Sequence, residues 1–409
     1  MSTGLSRRDL FPVLAGAAMA VRPSAARAAA PTAPVAVAKC KTYGSELMPT
    51  VQEMLDQIGG LGRIVKGKTV AIKLNLNGGA HTRVGYLPLE DTHFPHPNLI
   101  GCVLHLMDRA GARRIRLLES TWTPNQAEAD SLEEHLIQSG FDPAGFCRIA
   151  RNLEFENTNV LGKGKSYVRF KVPWGGTIYP AYDLNHSYAD CDVLVSIGKP
   201  KDHSTTGVTL AIKNMFGITP LTIYGPDAPE NEPGRVPNGH RMDTLHYGKR
   251  KPSRSAPQEI DPNSSRDDGY RLPNIIVELT AARPMHLAIQ DGILSMAGGQ
   301  SPGPTMEPVA PGFLAIGTNP VCTDAVTMAL MSYDPMAERG QVPFEVPCDN
   351  TFKIAEERGL GTRDLSRIEV IGTPIREAVF DFKALRAKRA ERRRRQSELR
   401  PRSPREVTA

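Results

Sequence analysis

The sequence predicts an α/β fold, a mainly parallel sheet flanked by helices, built from βαβ units and interrupted by a long loop or lid. Three observations predict it. Short β-rich runs alternate with segments whose apolar residues recur every three to four positions. Several of those runs are apolar along their whole length, as strands buried on both faces are. Polar and ionisable residues then follow the strands directly, where ligands bind at the carboxyl edge of a parallel sheet.

Taken in order, residues 35–40 read as a strand. Val51, Met54, Leu55 and Ile58 mark one face of a helix over 50–58, ended by Gly59 and Gly60. Residues 68–73 form the next strand, with Asn75 just beyond it. Pro97 opens a helix whose buried face is Ile100, Val103, Leu104 and Met107, and Gly111 closes it. A strand over 114–118 ends at Glu119. Residues 168–172 and 177–179 read as strands of a side element, and 193–197 as a strongly buried strand. A helix is expected over 208–216. From 219 to 272 apolar content falls and Pro, Gly, Asn, Asp and Arg dominate, which suits a functional lid more than a structureless loop. The regular pattern returns with a helix over 272–279, strands over 285–289 and 313–316, helices over 320–331 and 351–357, and a last strand over 367–371.

The two ends differ from the body. Arg7 and Arg8 precede an apolar run of eleven residues, 11–21, too short to span a bilayer, and small residues follow at 26–30. Residues 1–30 are therefore expected to be a twin-arginine signal. The twin-arginine translocase is then the export partner, and the location is periplasmic or otherwise extracytoplasmic. Residues 384–409 hold ten basic and three acidic residues and are expected to be a disordered tail that contacts an anionic envelope surface. With both ends set aside, residues 31–383 form the folded domain. That body carries a small negative net charge, so no nucleic-acid partner is expected. The six cysteines, at 40, 102, 147, 191, 322 and 348, include no C-x-x-C, so no iron–sulfur cluster is expected and the cofactor is left unknown. Cys102 and Cys322 lie in apolar runs and are expected in the core.

The densest chemistry lies between Gly198 and Gly217, where Lys199, Lys201 and His203 precede Lys213 and Asn214. A lysine-rich loop entering a helix N-terminus suits an anion, because free N–H groups and the helix dipole add to the ammonium charges. His203, Lys201, Asp291 and Glu119 are the candidate catalytic residues, His203 as general acid or base. Lys73, Asn75, Lys199, Lys213 and Asn214 are the candidate ligand-binding residues. No metal is assigned, although Asp91, His93 and His96, with His81 nearby, form a second polar cluster. His240 and His246 in the long loop rank below these.

The stretch around Lys199, Lys201, His203, Thr209, Ala211, Lys213, Asn214 and Gly217 resembles the pattern of the family described as domain of unknown function 362. Residues 70–75, 110–112, 289–292 and 319–325 agree with further segments of it, and the resemblance covers about 35–372. It implies the α/β fold and a shared polar site, without a known reaction. Many relatives carry a ferredoxin-like C-terminal module, where this chain has its arginine-rich tail. The family's usual aspartate is Asn319 here. The combined reading is an exported enzyme acting on a small anionic, carboxylate- or phosphate-bearing substrate. The alternatives are a non-catalytic binding protein for such a ligand, or an envelope interaction protein.

Overall fold

The computed structural model describes residues 29–79, 81–122, 131–161, 166–226, 228, 240–301, 303, 306–345 and 348–399. Their strands are, in chain order, β1 (Val35–Lys39), β2 (Thr69–Lys73), β3 (Arg114–Glu119), β4 (Leu153–Asn157), β5 (Tyr167–Lys171), β6 (Ala181–Asn185), β7 (Val193–Gly198), β8 (Lys201–His203), β9 (Gly207–Thr209), β10 (Leu287–Gly292), β11 (Ser295–Ala297), β12 (Glu307–Val309), β13 (Phe313–Gly317) and β14 (Val370–Gly372). One sheet runs β14-β1-β13-β10-β7-β2-β3-β4. Only β13 runs against its neighbours, and every other pair in the sheet is parallel.

Strand alternation splits the core in two. Val70, Ile72, Val193 and Val195 face the helices Leu47–Gln57 and Pro97–Arg109, meeting Val51, Met54, Leu99 and Val103. Ala71, Leu194, Ala288 and Ala315 face the helices Asp268–Ala282 and Pro320–Leu330. Small side chains on this second face let those helices sit close to the sheet. His96 caps its helix through Nδ1, which accepts from the Asn98 N–H at 3.0 Å, with Pro97 at the first position. Cys102 and Cys322 are buried, and all six cysteines are free. Among the described residues no helix is long and apolar enough to cross a membrane.

Three sequence expectations are corrected, and the end of the 219–272 stretch is moved. Residues 208–216 are not one helix. They finish a β8–β9 hairpin pairing Lys201 with Thr209, then make a single turn, Ala211–Asn214, and a tight 3₁₀ turn, Met215–Ile218. Gly207 turns the hairpin at φ +73°, where a Cβ would also press on Phe344 and Pro343. Residues 177–179 are not a strand. Their N–H groups converge on the buried Glu278 carboxylate at 2.5, 2.7 and 3.2 Å, and the side hairpin is β5 with β6. The 219–272 stretch is folded in its described parts, burying Leu221, Tyr224 and Leu245, and its last residues already belong to the helix that starts at Asp268. Residues 384–399 lie in a helix, Phe382–Leu399, whose Arg386 and Arg389 are held by carboxylates of the body.

Candidate functional site

β2 and β3 run parallel and in register, so the residues at their carboxyl ends meet. Lys73 Nζ lies 2.6 Å from Glu119 Oε1, both side chains buried. Glu119 also accepts from the backbone N–H of Leu76 at 2.8 Å and of Ser120 at 2.9 Å. Lys73 donates further to the Leu74 carbonyl at 2.6 Å and to Asn214 Oδ1 at 3.1 Å. A Cβ at Gly217 would stand 2.8 Å from Lys73 Nζ, so only glycine lets the 3₁₀ turn lie on this pair. Asn214 ties β2 to the central strand β7 through Ser196 Oγ at 2.9 Å, and accepts from Asn75 at 3.2 Å. Lys201 sits one layer deeper, donating to Asn75 Oδ1 at 2.8 Å and the His93 carbonyl at 2.6 Å. Burial, then the charges of Lys199 and Lys213, push its pKa well below the usual lysine range.

Lys73, Asn75, Glu119 and Asn214 form one wall of a cavity of about 180 Å³, which Lys201 itself does not line. Lys73, Asn75, Glu119, His203, Lys213 and Asn214 all line it, and the long insertion supplies Arg241 and His246 opposite. His203 Nδ1 accepts from the N–H groups of Thr205 and Thr206 at 3.0 and 3.1 Å, which puts the ring proton on Nε2. Burial first, and Lys213 second, hold its pKa well below that of free imidazole, so the ring stays neutral. Arg241 donates to Ser120 Oγ, and burial brings its pKa to about 10 against the pull of Glu119. His246 Nδ1 lies 2.9 Å from Asp268 Oδ1 without the alignment of a hydrogen bond, burial lowers the pKa of its ring, and Asp268 Oδ2 accepts from Thr205 Oγ1 at 2.9 Å.

Lys213 differs from the other lysines. Its Nζ stands 4.7 Å from the centre of the Phe216 ring and has no hydrogen-bond or ion-pair partner among the described residues. Burial, then the charge of Arg241, lowers its pKa to about 7, with Asp268 pulling the other way. Near neutral pH the site therefore holds an amine that is free to take or give a proton.

The family model for a domain of unknown function (DUF362) matches residues 70–329, well over half of the chain. The chain belongs to that family. A thylakoid-associated protein, sll1697, of Synechocystis is 22% identical over 304 residues, covering 74% of this chain and 75% of that protein. Two solved structures are also similar. The lactate racemase apoprotein of Thermoanaerobacterium thermosaccharolyticum shares 12% identity at a TM-score of 0.33, covering 65% of this chain and 50% of that one. A Thermotoga maritima protein shares 13% at 0.32, covering 79% and 60%. The chain thus spans half to three-fifths of those two solved chains. Every cavity residue named above lies inside the DUF362 span, whereas the C-terminal helix lies outside it.

Two sequence expectations for the site are corrected within this span. Lys199 and Asp291 do not join His203. They form their own buried pair at 3.1 Å, closed by Tyr43 OH, which lies 3.0 Å from Lys199 Nζ and 2.6 Å from Asp291 Oδ1, and by the His96 N–H at 2.9 Å. That pair fastens the entry of the Pro97–Arg109 helix and is turned away from the cavity. The expected helix N-terminus offers nothing to a ligand either, because the Asp324 carboxylate already accepts the N–H groups of Ala211 and Ile212 at 3.0 and 2.8 Å. The polar cluster near residue 91 does not gather its rings. His93 Nδ1 meets Thr92 Oγ1 at 3.0 Å, while His96 caps a helix and stacks on Tyr43 at 3.7 Å. Sequence reasoning missed Arg241 and Asp268, and ranked His246 low. Their signal was only the histidine-bearing irregular stretch itself, since no motif spaces them from the lysines.

Proposed function

We propose that the cavity is an enzyme site for a small carboxylate- or phosphate-bearing anion, with Lys213 as the group that moves the proton. The observation that carries the reading is the Lys213 amine, open to the cavity with no partner among the described residues and flanked by Arg241 and the Lys73–Glu119 pair. Arg241 would hold the anionic group, a role arginine suits because its fork matches carboxylate and phosphate oxygens, while Lys73, its three donors taken by Glu119, Leu74 and Asn214, fixes the wall beside it. The His203 Nε2–H would donate to a neighbouring substrate oxygen. Neutral Lys213 would take the substrate proton, and a pKa near the working pH is what general-base catalysis favours. His203 itself cannot fill that role well, since its Nδ1 is occupied and its ring resists protonation.

The test is thermal unfolding with sulfate, acetate and pyruvate as probes. A ligand that binds only the folded state stabilises it by RT ln(1 + L/Kd), where L is the free ligand concentration, and so raises the melting temperature. At least one probe should stabilise the wild type at millimolar concentration, and Lys213→Met should lose most of that shift. A full shift in Lys213→Met would remove Lys213 from the site.

Export is proposed alongside, on the strength of Arg7, Arg8 and the apolar run 11–21. That segment lies outside the described residues. Changing both arginines to lysine should leave the precursor in the cytoplasm, and an unchanged periplasmic yield would contradict the proposal.

A further inference from the structure

The arginine-rich C-terminal helix makes a contact that nothing in its composition requires. Arg389 is only 7% exposed. Its Nη2 lies 2.7 Å from Asp202 Oδ2 and its Nη1 lies 3.0 Å from Glu307 Oε1 on β12. Arg386, one turn earlier, reaches Glu345 Oε2 at 2.8 Å and approaches Asp202 Oδ1 at 3.9 Å. Asp202 is the residue immediately before His203, and it is itself buried. Its carboxylate also accepts from Tyr333 OH at 2.6 Å and from the Gly298 N–H at 2.8 Å.

Two cavity walls therefore hang from one carboxylate. The first is the β8–β9 hairpin with His203. The second is the loop after β11, whose Gln300 and Ser301 line the cavity. The walls are also joined directly, since the Ser204 N–H donates to Gln300 Oε1 at 3.1 Å. Asn77 Nδ2 reaches Ser301 Oγ at 2.7 Å and ties the second wall to the loop after β2. A buried carboxylate needs a compensating charge. Arg389 is the close cation at Asp202, with Arg386 at the edge of ion-pair range, and both come from the tail.

We propose that the C-terminal helix is a built-in strap for the anion site, and that Arg389 is a positioning residue acting through Asp202. The claim for the site rests on the reading above, whereas the claim for the strap does not. Without Arg389, Asp202 would turn toward water and release Gly298 and the hairpin together. The cavity would keep its residues and lose their spacing. This is a charge-assisted, two-pronged contact, and such contacts are among the stronger hydrogen bonds proteins make.

Hydrogen–deuterium exchange on the full chain tests the strap with no ligand present. The variants are Arg389→Ala, Arg389→Lys, and Arg395→Ala, which removes an exposed arginine paired with Glu391 of the same helix. In Arg389→Ala, backbone exchange over 201–209 and 298–301 should quicken at least about tenfold, with β2 and β7 unchanged. Arg389→Lys should recover part of the protection, and Arg395→Ala should match the wild type. Unchanged exchange over both segments in Arg389→Ala would overturn the strap, and so would a uniform loss across the whole sheet. Sulfate titration of the same variants then reads the site. A strap that loosens while wild type fails to bind sulfate overturns the anion reading alone. A strap that loosens while sulfate affinity stays equal in wild type and Arg389→Ala overturns the positioning role.

Discussion

Breaking the Lys73–Glu119 pair should cost far more than removing it whole. In Glu119→Gln the amide keeps one acceptor where the carboxylate served Lys73, Leu76 and Ser120, and its NH₂ group opposes another donor. Removing one partner of a buried ion pair costs about 3–5 kcal/mol. The low end applies here, because Lys73 keeps the Leu74 carbonyl and Asn214, and because burial has already lowered its pKa and eases loss of its proton. The single variant should therefore lose about 3 kcal/mol, and Lys73→Met, which strands the carboxylate, a similar amount. The double variant, Lys73→Met with Glu119→Gln, leaves no buried charge and one poorly met N–H. It should fall only about 1–2 kcal/mol below wild type, less than either single change. Urea unfolding of the four proteins gives the cycle directly, provided the slopes agree. If the two single losses add to within about 0.5 kcal/mol, the residues are not coupled and the pairing described here is wrong.

Three further outcomes follow from the same geometry. Lys213 is protonated in the unfolded chain up to the ordinary lysine pKa, but in the fold only up to about 7. Between those values the unfolded chain binds more protons, so wild-type stability should rise with pH across that window. Lys213→Met should flatten the rise, comparing best with wild type at pH 6 and worst at pH 10 in urea unfolding. Sulfate keeps its charge across neutral pH, so its affinity should fall as pH rises through about 7 in wild type and not in Lys213→Met, as read by calorimetry. Asp324→Ala should cost about 2 kcal/mol, because two buried N–H groups at the turn carrying Lys213 lose their acceptor, and circular dichroism melting measures it.

The parallel sheet was legible because each strand buried on both faces leaves an unbroken apolar run, as 193–197 does, and because amphipathic helices such as Leu47–Gln57 keep a 3.6-residue period. The lysines and acids at strand ends were legible for the same reason, since register places Lys73 beside Leu118 and so next to Glu119. Residues 208–216 misled because their apolar spacing suits a helix, while the pairing of Lys201 with Thr209 is a tertiary choice with no local mark. The separation of Asp291 from His203 was hidden too. Both lie at strand ends, but Tyr43 and His96, far away in sequence, claim Asp291. Arg241 and the docked Arg389 were illegible because charged, irregular or low-complexity segments carry no periodicity from which burial is read.

The most direct test is the reactivity of the Lys213 amine itself. Only the neutral amine is acylated, so brief treatment with acetic anhydride across a pH series, followed by peptide mass spectrometry, reports its titration. Lys213 should reach half of its limiting reactivity near pH 7, and sulfate should slow its labelling more than that of exposed Lys249. Half-reactivity near the ordinary lysine value of 10.5, with no protection by sulfate, would contradict the account.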